Sequence, residues 1–341
     1  MRCCLLFVLL IAVGPTFGQS KSVLKREAQI RSLLVNGKSY KARTKCDAAL
    51  VRDPAPQFYV LRADANNRIG DHANAQSDAR KGLDGLPGST EALLQIGIAE
   101  QGLGMADSAI VHFLQVIQRD PSAEGHYRLS LAYQAKGDAQ SAIAELNAAL
   151  PLSSGDTRSQ ARIHRVMAEC YVLANDTGAA RVAFGQAIAL APDDPVIFNS
   201  RGWLLYAAAG QYAKAIADFD RAIKINPNYS YAFNNRGWCR YKMGQKEKAM
   251  ADIERALKRK ASSPFAYRNL GIIALEANDK AQACAYFRSA LDNNFTQLFG
   301  EEVQGLIDIH CAGSEIKGIP PQLPNGPLDK PRTVPPRTNA P

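Results

Sequence analysis

Five histidines, His72, His112, His126, His164 and His310, could supply metal ligands or general bases. No two of them stand one helical turn apart, as paired metal ligands on a helix do. The chain carries no HExxH, GxSxG, GxxxxGK or CxxC motif, so zinc hydrolysis, a serine nucleophile elbow, a phosphate cradle and a dithiol site all lack their signature. Asp193-Asp194 and Glu301-Glu302 are paired carboxylates. Both pairs fall at expected helix starts, where capping and the helix dipole account for acids. The expectation is no catalytic residue, no metal and no cofactor. An enzyme with an unrecognised site would have to reveal itself by turnover that one polar substitution abolishes.

The elements that must hold any site are written as an internal repeat. Alanines recur at Ala42, Ala75, Ala109, Ala142, Ala180, Ala215, Ala249 and Ala283, spaced by 33, 34, 33, 38, 35, 34 and 34 residues. Five residues before each stands Gly37, Gly70, Gly104, Gly137, Asn175, Gly210, Gly244 or Asn278. Gly and Asn tolerate the left-handed conformation that ends a helix. A second small column, Gly97, Ser130, Ala168, Gly202, Gly237 and Gly271, marks a close helix approach, and Phe113, Leu146, Phe184, Phe219, Ile253 and Phe287 fill the gap to the next unit. Each unit therefore reads as a helical hairpin of two helices of about 14 residues, stable only when stacked on its neighbours.

This pattern resembles the tetratricopeptide repeat, whose period is about 34 residues. The unit from Pro195 to Tyr229 carries the resemblance best, with Gly202, Tyr212, Ala215, Phe219, Ala222 and Pro227, and the next repeats Arg201-Gly202-Trp203 as Arg236-Gly237-Trp238. The resemblance implies an all-α, right-handed superhelical solenoid of about eight hairpins: 23–55, 56–89, 90–122, 123–156, 161–194, 195–229, 230–263 and 264–297. Ile30 and Ala79 depart from the small and large columns. Thr157–Gln160 reads as an insertion that is either a hinge or a change in superhelical pitch between repeats, and Ala207-Ala208-Ala209 holds one extra residue before its turn. After the repeats, residues 298–313 read as a capping helix, with Val303, Leu306, Ile307 and His310 on one stripe. Residues 314–341 form a Pro-rich basic tail with too little apolar content to pack.

At the other end, Met1-Arg2, the apolar stretch Cys3–Val13, Gly14-Pro15 and the small residues Thr16 and Gly18 lay out a secretory signal peptide over residues 1–18. The expectation is an exported protein, periplasmic, associated with the cell envelope or secreted, beginning at Gln19. Cys46, Cys170 and Cys239 fall at inner repeat positions, where a small buried apolar residue is the ordinary reading. Cys284 and Cys311 would meet if the cap helix folds back. The end of the chain also resembles exported bacterial repeat proteins of this family, especially from Bacteroidota. A Cys284–Cys311 disulfide and two separate thiols are both open. Three sequons, at Asn175, Asn228 and Asn294, fall in turns.

In this family the first helices line a concave groove. The resemblance places Asn199, Trp203 and Tyr206, then Asn234, Trp238, Tyr241 and Lys242, along it. Rings supply contact area and amides pair with an extended peptide backbone. The alternative is that both tryptophans only pack between helices. The net charge is +9 and unevenly spread: Lys21–Lys81 has thirteen basic against six acidic residues, and Arg236–Lys260 has nine against three. The resulting reading is a non-enzymatic scaffold of the cell envelope that holds a protein or extended peptide, with no nucleic acid. The alternative is a module that meets envelope glycan or anionic lipid through the basic patches.

Overall fold

Left-handed residues punctuate the chain at each turn: Gly210 and Gly244 take φ of 69° and 77°, and Asn175 and Asn278 take 61° and 60°. A backbone at positive φ cannot continue a right-handed helix, so each first helix stops there and the chain reverses. The computed structural model describes residues 21–260, 263–293, 295–296 and 300–311. The signal peptide expected over 1–18, the Pro-rich tail over 314–341 and the sequon residue Asn294 lie outside the described residues.

Contacts divide the chain between Ala174 and Asn175 into two units. The first holds α1 (Lys21–Val35), α2 (Ser39–Arg52), α3 (Pro56–Ile69), α4 (His72–Gly85), α5 (Thr90–Gly102), α6 (Ala106–Arg119), α7 (Ala123–Ala135), α8 (Ala139–Leu152) and α9 (Thr157–Leu173). The second holds α10 (Thr177–Leu190), α11 (Pro195–Arg201) running on into a π-helical turn (Gly202–Ala207), then α12 (Tyr212–Ile225), α13 (Ser230–Lys242), α14 (Lys246–Arg259), α15 (Pro264–Glu276), α16 (Lys280–Asp292) and α17 (Glu302–His310). No strand occurs among the described residues.

The two columns of the repeat do opposite jobs at one contact. Phe113, Phe184, Phe219, Ile253 and Phe287 are fully buried. A Cβ on Gly97 would stand 2.5 Å from Phe113, and one on Gly271 only 2.4 Å from Phe287, so the small column makes room for the large one. Ile30 and Ala79, the departures from these columns, are buried all the same.

The two irregularities of the repeat are absorbed within helices. Thr157–Gln160 is no hinge: it forms the first turn of α9, which reaches 17 residues. Asp156 caps that turn, its Oδ1 accepting from the Ser159 N–H at 3.0 Å. The extra residue of the 195–229 repeat is absorbed inside the helix as the π-helical turn Gly202–Ala207. One residue added to a helix is accommodated there by widening a turn.

The acidic pairs also separate. Asp194 caps α11 by accepting from the Val196 N–H at 2.8 Å. Glu301 makes no such bond at the start of α17, and Glu302 instead pairs with Arg268. Val303 anchors α17, with Leu306 and Ile307 packed beside it against Phe287 and Ala290. Cys284 on α16 and Cys311 just after α17 are joined by a disulfide, their Cα atoms 5.7 Å apart.

Cys46, Cys170 and Cys239 are buried and free. Desolvation pushes all three thiols up to about 12, which leaves little reactive thiolate. A thiol reagent at mildly alkaline pH should modify none of the three in the native chain and all of them in denaturant. Rapid native labelling of any one would show that its helix layer opens freely.

Candidate partner-binding site

In the second unit the first helices α11, α13 and α15 pack side by side. Asparagines at the repeat spacing, Asn199, Asn234 and Asn269, meet across this layer with the help of Asn235. The Asn269 Nδ2 donates to Asn234 Oδ1 at 3.0 Å, the Asn234 Nδ2 to Asn235 Oδ1 at 3.1 Å, and the Asn235 Nδ2 to Asn199 Oδ1 at 3.0 Å. The Arg268 Nη1 donates into the other end, to Asn269 Oδ1 at 3.0 Å. The amides thus form one hydrogen-bonded chain across three repeats, and its buried members are satisfied by each other.

The two tryptophans occupy equivalent repeat positions but different surroundings. Trp203 lies in the π-helical turn and is 38% exposed. Trp238 is half-buried, with Lys242 Nζ 4.8 Å and Arg268 Cζ 5.0 Å from its ring centroid. Tyr206, also half-buried, has Arg201 at 5.6 Å and Lys214 at 5.8 Å from its ring. These are cation–π distances. Asn234 and Tyr241 cannot serve as free groove residues, because each is only 6% exposed. The amide of Asn234 is spent on its neighbours, and the Tyr241 ring packs 5.6 Å from Trp238. Asn199, Trp203, Tyr206, Trp238 and Lys242 remain accessible in full or in part.

Beneath this layer lie ion pairs that the repeat columns did not single out. Arg201 grips Asp218 through Nε at 2.8 Å and Nη2 at 2.6 Å, and Arg236 grips Asp252 with the same two distances. Arg62 holds Asp78 likewise in the first unit, at 2.8 Å for both bonds. In all three, an arginine one residue before the small column reaches an acid 16 or 17 residues later on the second helix. Bidentate geometry of this kind fixes the angle of a hairpin as well as its energy.

The first unit presents a different face. A depression of about 550 Å³ lies among α3, α5, α7 and α9, lined by Asp64, Arg68, Glu91, Glu124, Arg128 and Arg162 with Leu94 and Ile98. Its charges are all paired: Arg68 with Asp64 at 2.6 Å, Arg128 and Arg162 with Glu124 at 2.6 and 2.8 Å, and Glu91 with Arg31 of α1 at 2.8 Å. Burial opposes ionisation of Glu124, but the two guanidiniums outweigh it and hold the carboxyl below its ordinary range. Among the described residues, no group of three or more His, Cys, Asp or Glu side chains is placed to hold a metal ion. No described helix is long and apolar enough to cross a membrane.

Family models place these elements. A tetratricopeptide repeat model matches residues 27–89, 94–157 and 234–294, more than half of the chain, and a second TPR repeat model matches 204–244. No curated protein is similar in sequence. Among solved structures, a tetratricopeptide repeat protein from Parabacteroides merdae is 16% identical, with a TM-score of 0.57, over 74% of this chain and 98% of that one. IFIT1 with Gppp-AAAA has a TM-score of 0.62 at 14% identity, over 86% of this chain and 73% of that one. A chain of the APC/C hetero-tetramer Cut9–Hcn1 has a TM-score of 0.57 at 14% identity and covers 82% of this chain. This chain spans only about half of it, 55%. At such identities the likeness is one of fold. The sequence models carry the assignment further: the chain belongs to the tetratricopeptide repeat family.

Proposed function

We propose that the protein is a non-enzymatic scaffold of the cell envelope that holds an extended peptide or a partner protein on the first-helix layer of its second unit. The observation that carries this reading is Trp203, a large ring left exposed beside a hydrogen-bonded amide layer. Exposed aromatics over a rigid, internally satisfied floor are the anchors of protein recognition, since little freedom remains to be lost on binding. Trp238, with Lys242 and Arg268 against its ring, extends the surface and favours a ligand carrying acceptors or negative charge. The leader pattern in residues 1–18 supports the envelope setting.

The test is recovery of partners from an envelope extract by full-length protein and by Trp203→Ala/Trp238→Ala. A partner bound at this layer should be recovered with roughly thirtyfold lower affinity by the double variant, the scale of a lost hot spot. Because the chain has two tryptophans, both at this layer, binding should also change the intrinsic fluorescence of the native protein. Equal recovery of every partner would refute the placement.

A further inference from the structure

The second helices of the sixth and seventh repeats carry matched cations. Lys214, Arg221 and Lys224 on α12 recur one repeat later as Lys248, Arg255 and Lys258 on α14, and all six are exposed. Both helices pack on α13, and each presents its exposed cations at the same repeat positions. Setting like charges in register on neighbouring helices costs stability. The neighbouring repeats lack the pattern, with Gln282, Ser289 and Asp292 at the matching places on α16.

The acids on these helices are mostly held by first-helix arginines: the buried Asp218 by Arg201, the buried Asp252 by Arg236 and Arg240, and the half-exposed Asp220 by Arg236. Only Glu247 and Glu254 remain on the two helices, and burial raises the Glu254 carboxyl above its ordinary range. Lys214 and Arg221 bond neutral groups, Lys214 donating to Gln211 Oε1 at 3.0 Å and Arg221 to the Pro192 carbonyl at 3.3 Å, while Lys258 is near Glu254. Nearby, desolvation and, less strongly, the charge of Arg255 lower the affinity of Arg259 for its proton. Between the cations stand the exposed Ala213, Ala217 and Ala251, which offer neither rings nor amides to select a polymer and no large apolar group to insert.

From this arrangement we infer that the α12–α14 face is a peripheral docking surface for an anionic lipid bilayer, touching the peptide layer on the first helices only where Lys214 lies over the Tyr206 ring. Flexible cations repeated on two helices match a plane of headgroups better than a single acidic strand. Attraction to such a plane is worth roughly fivefold in partitioning per Lys or Arg and fades within a Debye length.

The experiment is co-sedimentation of the full chain with vesicles of phosphatidylglycerol and phosphatidylcholine, or of phosphatidylcholine alone. Binding is expected only to the anionic vesicles, with release at high salt. Changing all six cations (Lys214→Gln, Arg221→Gln, Lys224→Gln, Lys248→Gln, Arg255→Gln, Lys258→Gln) should weaken it at least a hundredfold, and changing those of either helix alone should give an intermediate loss. A control with six first-unit cations changed (Lys25, Lys38, Lys41, Lys45, Arg52 and Lys81, each →Gln) should stay within a few-fold of wild type, and circular dichroism should show unchanged helicity throughout. No binding to anionic vesicles, or equal binding by the six-cation variant, would overturn the inference. So would tighter binding to soluble polyglutamate at matched charge, which would assign the face to an acidic polymer.

Discussion

Replacing Asp252 by alanine should cost the second unit about 3–5 kcal/mol, the scale for removing one partner of a buried ion pair. Asp252 is 1% exposed and accepts from Arg236 through two bonds and from Arg240 Nη1 at 2.6 Å. Its loss leaves two guanidiniums beneath the surface with too few acceptors, and water cannot replace them where Arg236 is buried. Asp220 provides the internal control. It also accepts from Arg236, at 2.6 Å, but its side chain is 52% exposed, so Asp220→Ala should cost less than about 1 kcal/mol. Urea unfolding followed by tryptophan fluorescence reports on α13 through Trp238. Equal midpoints for the two variants would mean that the pair contributes no more than a surface contact.

Breaking the disulfide should act just as strongly but in one place. Cys284 and Cys311 are 27 residues apart, and closing a loop of that length is worth about 3.5 kcal/mol in the chain-entropy model. The double change Cys284→Ser/Cys311→Ser should strip amide-exchange protection from α17 and the end of α16, where Val303 and Phe287 share one apolar cluster. Protection in α11 and α13 should hardly change, since stability in repeat proteins is carried by neighbour contacts. A loss spread evenly over the second unit would show that the cap is coupled to every repeat beneath it.

The turns and the close helix contacts were legible because the backbone imposes them. Only Gly or Asn sits comfortably at the φ of Gly244 or Asn278, and nothing larger than hydrogen fits at Gly271. Extra residues were harder to read, since counting shows that a residue is added but not which hydrogen bonds absorb it. Thr157–Gln160 lengthened a helix, while the extra residue near Ala208 widened one. Depth was the other blind spot. Repeat position puts Asn234 and Trp238 on one helix face, but the reach of Asn269 and Asn235 decides that Asn234 is consumed inside it. A signal was present in the equal spacing of Asn199, Asn234 and Asn269, and in arginines that precede acids by 16 or 17 residues.

The asparagine chain has a direction. A guanidinium can only donate, so Arg268 obliges Asn269 to turn its oxygen toward it, and every amide beyond must then point the same way. The order passes through Asn234 and Asn235 to Asn199, whose nitrogen ends the chain with no further acceptor among the described residues. Arg268 is itself paired with Glu302 on the cap helix, beside which the disulfide closes. The polarity that Arg268 imposes beside the cap is therefore read three helices away: next to Trp203, the surface presents a donor, so a peptide on the proposed layer would have to bring oxygen.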